Sequence, residues 1–316
     1  MTTLDQMGEL GILSRLTRGL PGRRDVVAGA GDDCAVIQQA AKEAGDLLLT
    51  SDPVVEGVHF RPDTPPGYVG RKALARVLSD IAAMGGVPLW VLVNLVAPGS
   101  TSWARVDGIR KGFSALARRW GVAWVGGDIS AGHCLELHVF CAGRAPRGTP
   151  VLRSGASPGD AIYVTGALGG SISGKHLRFE PRLAQGQWLR AGRWASAMMD
   201  LSDGLANDLP RMALSSRCGA EIWPERIPVS SAVRKAGDEQ SRLKHALDDG
   251  EDYELLFTVR SAKVPKFEAA WRRRFPLRCT RIGRIIAGRA GSVVLAPAGH
   301  ARRLMKNCGY EHFKAP

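Results

Sequence analysis

No apolar run in this sequence reaches the roughly 18 residues that span a bilayer, which argues against an integral membrane protein. The N-terminal stretch "MTTLDQMGELGILSRL" carries an acid early and no continuous apolar core, so it does not read as a secretory signal. Cysteine is scarce and scattered, at 34, 134, 141, 218, 279 and 308, with no CxxC pair. Free thiols, several within apolar runs, fit a reducing, cytoplasmic compartment. Histidine is sparse at 7 residues, without HExxH or paired-Cys spacing, which leaves a zinc site without support. The absence of GxSxG likewise removes a nucleophile elbow. Basic residues form no tail or long block, and no RNP-type or zinc-finger spacing occurs, so the expectation is no nucleic-acid partner.

What is present is ordinary in bulk and lopsided in charge. Over 316 residues, 45% are hydrophobic and 23% charged, enough for two domains with real cores. Against 30 Asp and Glu stand 43 Lys and Arg, a formal +13. Such a balance suits either a solvated basic surface or anionic company such as phosphorylated small molecules.

Strand-like runs recur at 33–37, 47–52, 88–98, 122–128 and 135–145. Between them, "RKALARVLSDIAAMGG" at 71–86 places Leu74, Val77, Leu78 and Ile81 on one helical face, with Gly85-Gly86 as a stop. A second helix is expected at 103–121. "RGTPVLRSGASPGD" at 147–160 is rich in turn formers and marks a boundary. Beyond it come strands at 161–166 and 250–259, a helix opening near "LSDGLANDL", another over 263–275, and short strands in "TRIGRII" and "SVVLAP". This predicts two mixed α/β (α+β) domains, residues 1–146 and 147–316.

Two near-motifs fail on inspection. "GGSISGKH" at 169–176 has P-loop spacing but His176 where a Ser or Thr must hold Mg²⁺, and "GAGDDC" has Cys34 where a dinucleotide fingerprint needs Gly. The informative residues are acids in apolar or glycine-rich settings: Asp33, Asp52, Asp80, Asp128, Asp200, Asp203, Glu251 and Asp252. Singly, each reads as a cap or turn acid. Their recurrence at strand ends and glycine turns points to one site. Carboxylates converging without matching bases suit a hard cation, and Mg²⁺ with phosphate is the commonest such pairing.

The blocks "GDDCAVI", "SDPVVEGVHF", "KALARVLSDIAAMGGVP", "GGD", "LRSGASPGD", "VTGALGGS", "MDLSDGLANDL", "GEDYELLFTV", "IGRI" and "GYEHF" follow one another from residue 29 to 313. In this order they resemble the thiamine-monophosphate kinase family. The resemblance implies a fold like that of aminoimidazole ribonucleotide synthetase. It also implies transfer of the ATP γ-phosphoryl group to thiamine monophosphate, several Mg²⁺ ions, and a homodimer formed through the N-terminal domains. Carried over by position, metal contacts fall on Asp33, Thr50, Ser51, Asp52, Asp80, Asp128, Asp200 and Asp203, with Asp33, Asp80, Asp128 and Asp203 central to catalysis. ATP contacts fall on Gly127, Asp128, Arg153 and Ser202, and thiamine contacts on His59, Glu251 and Tyr310. The chain departs from the family pattern at Asp249, where a glycine is usual, and at Ile129-Ser130, Glu311 and the "SDPVVEG" segment. The same superfamily holds other ATP-using enzymes, but "VEGVHF" and "GEDYELLF" argue against them.

Overall fold

The computed structural model describes residues 3–21, 23–40, 45–234, 238–305 and 309–310. Helix α1 (Leu4–Leu16), kinked at Gly8, precedes β1 (Val26–Ala28), β2 (Ala35–Gln38), β3 (Asp46–Val55), α2 (Pro66–Ala83) and β4 (Val87–Ala97). α3 (Trp103–Trp120), β5 (Ala123–Ala131) and β6 (Glu136–Ala145) complete the first set. Six strands form one sheet in the order β1-β2-β3-β6-β4-β5, antiparallel except for the parallel β4–β5 edge pair. Its longest ladder runs from Asp46 opposite Ala145 to Val55 opposite Glu136.

Alternation along these strands sorts the two faces. Leu48, Val54, Val91, Val139 and Cys141 are buried, whereas Trp90, Leu92 and Phe140 stand exposed on the opposite face. The expected helical face is fully buried: Leu74, Val77, Leu78 and Ile81 all point into the first core. α2 starts five residues before the expected position, because Pro66 has a preset φ and no N–H to satisfy at a first turn. It crosses α3 in near backbone contact. A Cβ at Gly70 would meet the Ile109 carbonyl at 2.0 Å, and one at Gly112 would meet that of Gly67 at 1.9 Å.

The second sheet draws on β7 (Ala161–Thr165), β8 (Ala195–Asp200), β9 (Gly219–Ile222), β10 (Leu255–Val259), β11 (Cys279–Ile286), β12 (Val293–Leu295) and β13 (Arg303–Leu304). Their order is β13-β12-β9-β11-β7-β10-β8. Helices α4 (Lys175–Arg178), α5 (Leu183–Ala191), α6 (Leu205–Ser215), α7 (Ser231–Arg234), α8 (Glu239–Asp248) and α9 (Val264–Arg274) surround it. The fold is therefore two mixed α/β halves, each with its own sheet. α2 joins them: Phe179, Leu183 and Tyr253 pack into its core cluster, and the Phe179 and Tyr253 rings stack at 4.0 Å. Among the described residues no helix is long and apolar enough to cross a membrane.

Two expectations need correction. The strand expected at 250–259 begins only at Leu255, because Glu251 and Tyr253 adopt left-handed backbone at φ 63° and 50°. Their N–H groups bond instead to the carbonyls of Ser202 and Leu201, folding the segment back toward α2. The strand expected at 122–128 continues to Ala131, so Asp128 lies within β5 rather than at its end.

Candidate active site at the seam of the two sheets

Asp33, Asp80 and Asp200 come from the turn before β2, the last turn of α2 and the end of β8. Each offers a carboxylate oxygen within 4.8 Å of the other two. Asp33 Oδ2 is buried without a hydrogen-bond partner. Burial, and then repulsion from Asp52, Asp200 and Asp33, pushes the Asp80 carboxyl well above the usual range. Burial and the Asp33 charge raise Asp200 to about 7. Burial also raises Asp33 itself.

Hydroxyls and cations hold the trio in place. Thr50 Oγ1 donates to Asp80, and Ser79 Oγ donates to Asp200. Arg153 pairs with Asp33 at 2.6 Å, and its backbone N–H donates to Asp32. The adjacent acids in "GDDC" thus split their work: Asp32 caps a turn through the N–H groups of Asp33 and Arg153, while Asp33 turns inward. Asp52 shares the sheet face of Thr50 and pairs with Arg76 at 3.4 Å. Ser51, between them, is exposed on the opposite face. Asp203 pairs with Arg211, which also reaches Asp208 at 3.1 Å. The half-buried Ser202 accepts the Glu251 N–H at 2.6 Å through its carbonyl.

Beside the trio lies a second polar cluster. Lys72, fully buried on α2, contacts both Glu251 oxygens at 2.6 and 2.8 Å and donates to the His59 carbonyl. His176 Nδ1 lies 2.9 Å from both Lys72 Nζ and Glu251 Oε2. Burial would raise the Glu251 carboxyl, but the His176 hydrogen bond and the Lys72 charge win and hold it down to about 2. Burial pulls Lys72 down to about 8 against the attraction of Glu251. The His59 ring accepts the Val55 N–H. Tyr310 is tethered by its N–H to the Asp203 carbonyl and by its carbonyl to Asn207. His59, Glu251 and Tyr310 therefore border one region, while Glu311 lies outside the described residues.

Gly127 and Asp128 stand apart from this cluster within one chain. Register runs Asp52–Val139–Val93–Gly127 across β3, β6, β4 and β5, three strand spacings or roughly 14 Å. Gly127 is required where it is, since at φ 151° a Cβ would meet the Val93 carbonyl at 1.8 Å. Lys72, Arg76, Ser79, His176 and Arg211 escaped the sequence reading. A signal existed for two of them: Lys72, Arg76 and Asp80 recur every four residues, one polar stripe on an otherwise apolar helix. The P-loop reading is set aside by structure as well, because Lys175 is tied to Glu254 at 3.0 Å and Asp252 at 3.4 Å.

Two sheets meeting over a carboxylate trio define the class. Residues 31–145 match the family model for the AIR synthase related protein N-terminal domain, and 157–296 that for its C-terminal domain. The thiamine-monophosphate kinase of Rhodopirellula baltica is 37% identical over 292 residues, covering 89% of each chain. That of Escherichia coli is 35% identical over 332 residues, covering 98% of this chain and 99% of its own. Among solved structures, AaThiL complexed with AMPPCP and TMP superposes with a TM-score of 0.84 at 29% identity, covering 99% of both chains. The hydrogenase maturation protein HypE in complex with ATP, at 18% identity and a TM-score of 0.69, shares the fold. The chain belongs to the thiamine-monophosphate kinase family of AIR synthase related proteins.

Proposed function

We propose that this protein transfers the γ-phosphoryl group of ATP to thiamine monophosphate, forming thiamine diphosphate with the help of Mg²⁺. The observation that carries this reading is the trio Asp33, Asp80 and Asp200. Three carboxylates from three elements, one with an orphaned buried oxygen, form a donor set suited to a hard cation and costly without one. Thr50, Asp52, Asp128 and Asp203 complete the proposed ligands, and the Ser51 side chain, on the opposite face of β3, is not among them. Bound there, Mg²⁺ would neutralise polyphosphate charge and template an in-line transfer.

The chain's own residues do the rest. Thr50 and Ser79 fix the carboxylates of Asp80 and Asp200, so little reorganisation is needed when substrates arrive. Arg153 offers a planar fork to an ATP phosphate beside Ser202, with Gly127 brought to it from a second copy of the chain. The acceptor is an anionic phosphate oxygen, so a strong general base is unnecessary. Glu251, held ionised, faces a thiamine whose thiazolium ring is cationic, with His59 and Tyr310 beside it.

Residues 1–146 would carry Asp33, Asp52, Asp80 and the dimer contacts, and residues 147–316 would close the site from the other side with Arg153, Asp200, Ser202 and Asp203. A homodimer is supported by β5, whose every residue is exposed, and by the uncovered face bearing Trp90, Leu92 and Phe140. A second copy on that face would bring its Gly127 and Asp128 to the trio. The direct test is thiamine diphosphate formation from ATP and thiamine monophosphate, with Mg²⁺ and with EDTA. Product only with Mg²⁺ is expected; a folded protein that makes none under either condition rejects the reading.

A further inference from the structure

The second sheet carries a basic groove that the proposed reaction does not use. It is an open groove of about 790 Å³ between the turn at 224–229, α7, α8 and the start of β11, room enough for a small-molecule ligand. Five arginines line it: Arg226, Arg234, Arg242, Arg278 and Arg281. Three acids share the lining, of which Glu268 is engaged by the Tyr163 hydroxyl at 2.8 Å. Among the described residues Arg226, Arg234, Arg278 and Arg281 have no ion-pair partner. Elsewhere the chain pairs its interior arginines closely, as with Arg153 on Asp33 and Arg182 on Glu254.

Two further features show positioned rather than loose cations. The Arg226 and Arg281 guanidiniums pack over the Trp223 ring at 4.9 and 5.3 Å from its centroid, which restrains two long side chains at one wall. Arg281 Nε is buried with no hydrogen-bond partner. With that donor shut away from partners, Arg281 gains from an anion met by its other N–H groups at the groove wall. The groove is separate from the acid trio. Arg281 is in register through Tyr163 and Phe257 with Met198, three strand spacings or roughly 14 Å from β8.

We infer that this groove is a second anion site that binds a small ligand carrying two or more linked phosphates. Restrained planar forks favour phosphate oxygens held bidentately. The arginines gather in one short groove rather than along a basic stripe, which favours a small molecule over a polynucleotide. The site also gives the surplus of cations a place to act.

Binding of radiolabelled pyrophosphate in EDTA tests this, because without metal the carboxylate trio repels phosphate. Wild-type protein is compared with Arg226→Gln, a change at an exposed position, and with Arg226→Gln/Arg281→Gln. One equivalent per chain is expected, at least tenfold weaker in both variants, with thiamine diphosphate formation in Mg²⁺ unchanged. Absence of binding in EDTA, or equal binding by the variants, overturns the inference. Displacement by single-stranded oligonucleotides whose affinity grows with length also overturns it, assigning the groove to nucleic acid. Kinase activity is read separately, so failure here leaves the proposed reaction untouched, and the reverse also holds.

Discussion

Asp80, at the end of the long helix of the first half, and Asp200, at the end of an edge strand of the second, approach within 4.8 Å oxygen to oxygen. Two carboxylates that close, both shielded from water, oppose folding unless something positive joins them. The two halves of the chain thus meet over their least compatible groups. With the proposed metal role, stability and catalysis would be linked through the same few oxygens.

Asp80→Asn separates these roles. The amide keeps the shape but removes a charge from a crowded anionic site, so in EDTA the variant should melt at or above the wild-type temperature. Its rate of thiamine diphosphate formation in Mg²⁺ should fall by at least about 100-fold if Asp80 is the metal ligand proposed above. A variant that melts much lower in EDTA would show that Asp80 serves packing instead.

The raised carboxyls also fix a pH dependence. A carboxyl whose folded value lies above its unfolded one contributes stability that is complete below the unfolded value and lost as pH rises through the folded one. For Asp200 that window runs from about 4 to about 7, and Asp80 and Asp33 act in the same direction. In EDTA, this site should therefore weaken the protein as pH climbs from 5 to 8. Added Mg²⁺ should raise the melting temperature by several degrees at pH 8 and by much less at pH 5. Equal Mg²⁺ shifts at both pH values would separate the trio from metal binding.

How far this site could be read in the sequence depended on distance along the chain. Asp33, Asp52, Asp80 and Asp200 showed themselves because a charge at a strand end or on an apolar helix is locally anomalous. The acids' partners were not local. Lys72 meets His176 104 positions away and Glu251 179 positions away, and Ser79 meets Asp200 121 positions away. Most of the longer strands and the helices α2, α3, α6 and α9 were legible from alternation and helical spacing, whereas α1, α4, α5, α7, α8 and the strands β1, β8, β9 and β13 were not. Residues 250–254 were not, because their backbone bends to satisfy contacts with α2 rather than any local preference.

Lys72→Met tests that long-range cluster. It leaves Glu251 buried with His176 as its remaining close side-chain hydrogen-bond partner, so a loss of about 3 kcal/mol is expected by chemical denaturation. Adding Glu251→Gln to the same chain should recover part of it, because the uncompensated charge then disappears. Strict additivity of the two changes would mean that they do not interact.

Asp249 sits where the family usually has glycine, yet its backbone is ordinary at φ −67° and its carboxylate accepts the Gly170 N–H at 2.6 Å. Asp249→Gly should thus relieve no strain. The lost hydrogen bond and added backbone freedom should cost about 1–2 kcal/mol. The KM for thiamine monophosphate should stay within about threefold, because the carboxylate bonds away from Glu251. A large fall in KM would show instead that the extra charge obstructs the substrate.

The position of Asp128 yields the sharpest test of assembly. Within one chain it is three strands from Asp52, too far to share a ligand with the trio. If the partner copy supplies it, Asp80→Asn and Asp128→Asn each inactivate a different half of a composite site. Refolding equal amounts of the two inactive variants together gives about half heterodimers, each with one intact site, and so roughly a quarter of wild-type activity. If Asp128 acts in its own subunit, every site in the mixture lacks one acid and no activity returns. Ile129→Lys, on the exposed β5 edge, should give a monomer by light scattering and abolish the recovery. Recovery that persists in a monomeric protein would rule out the composite site.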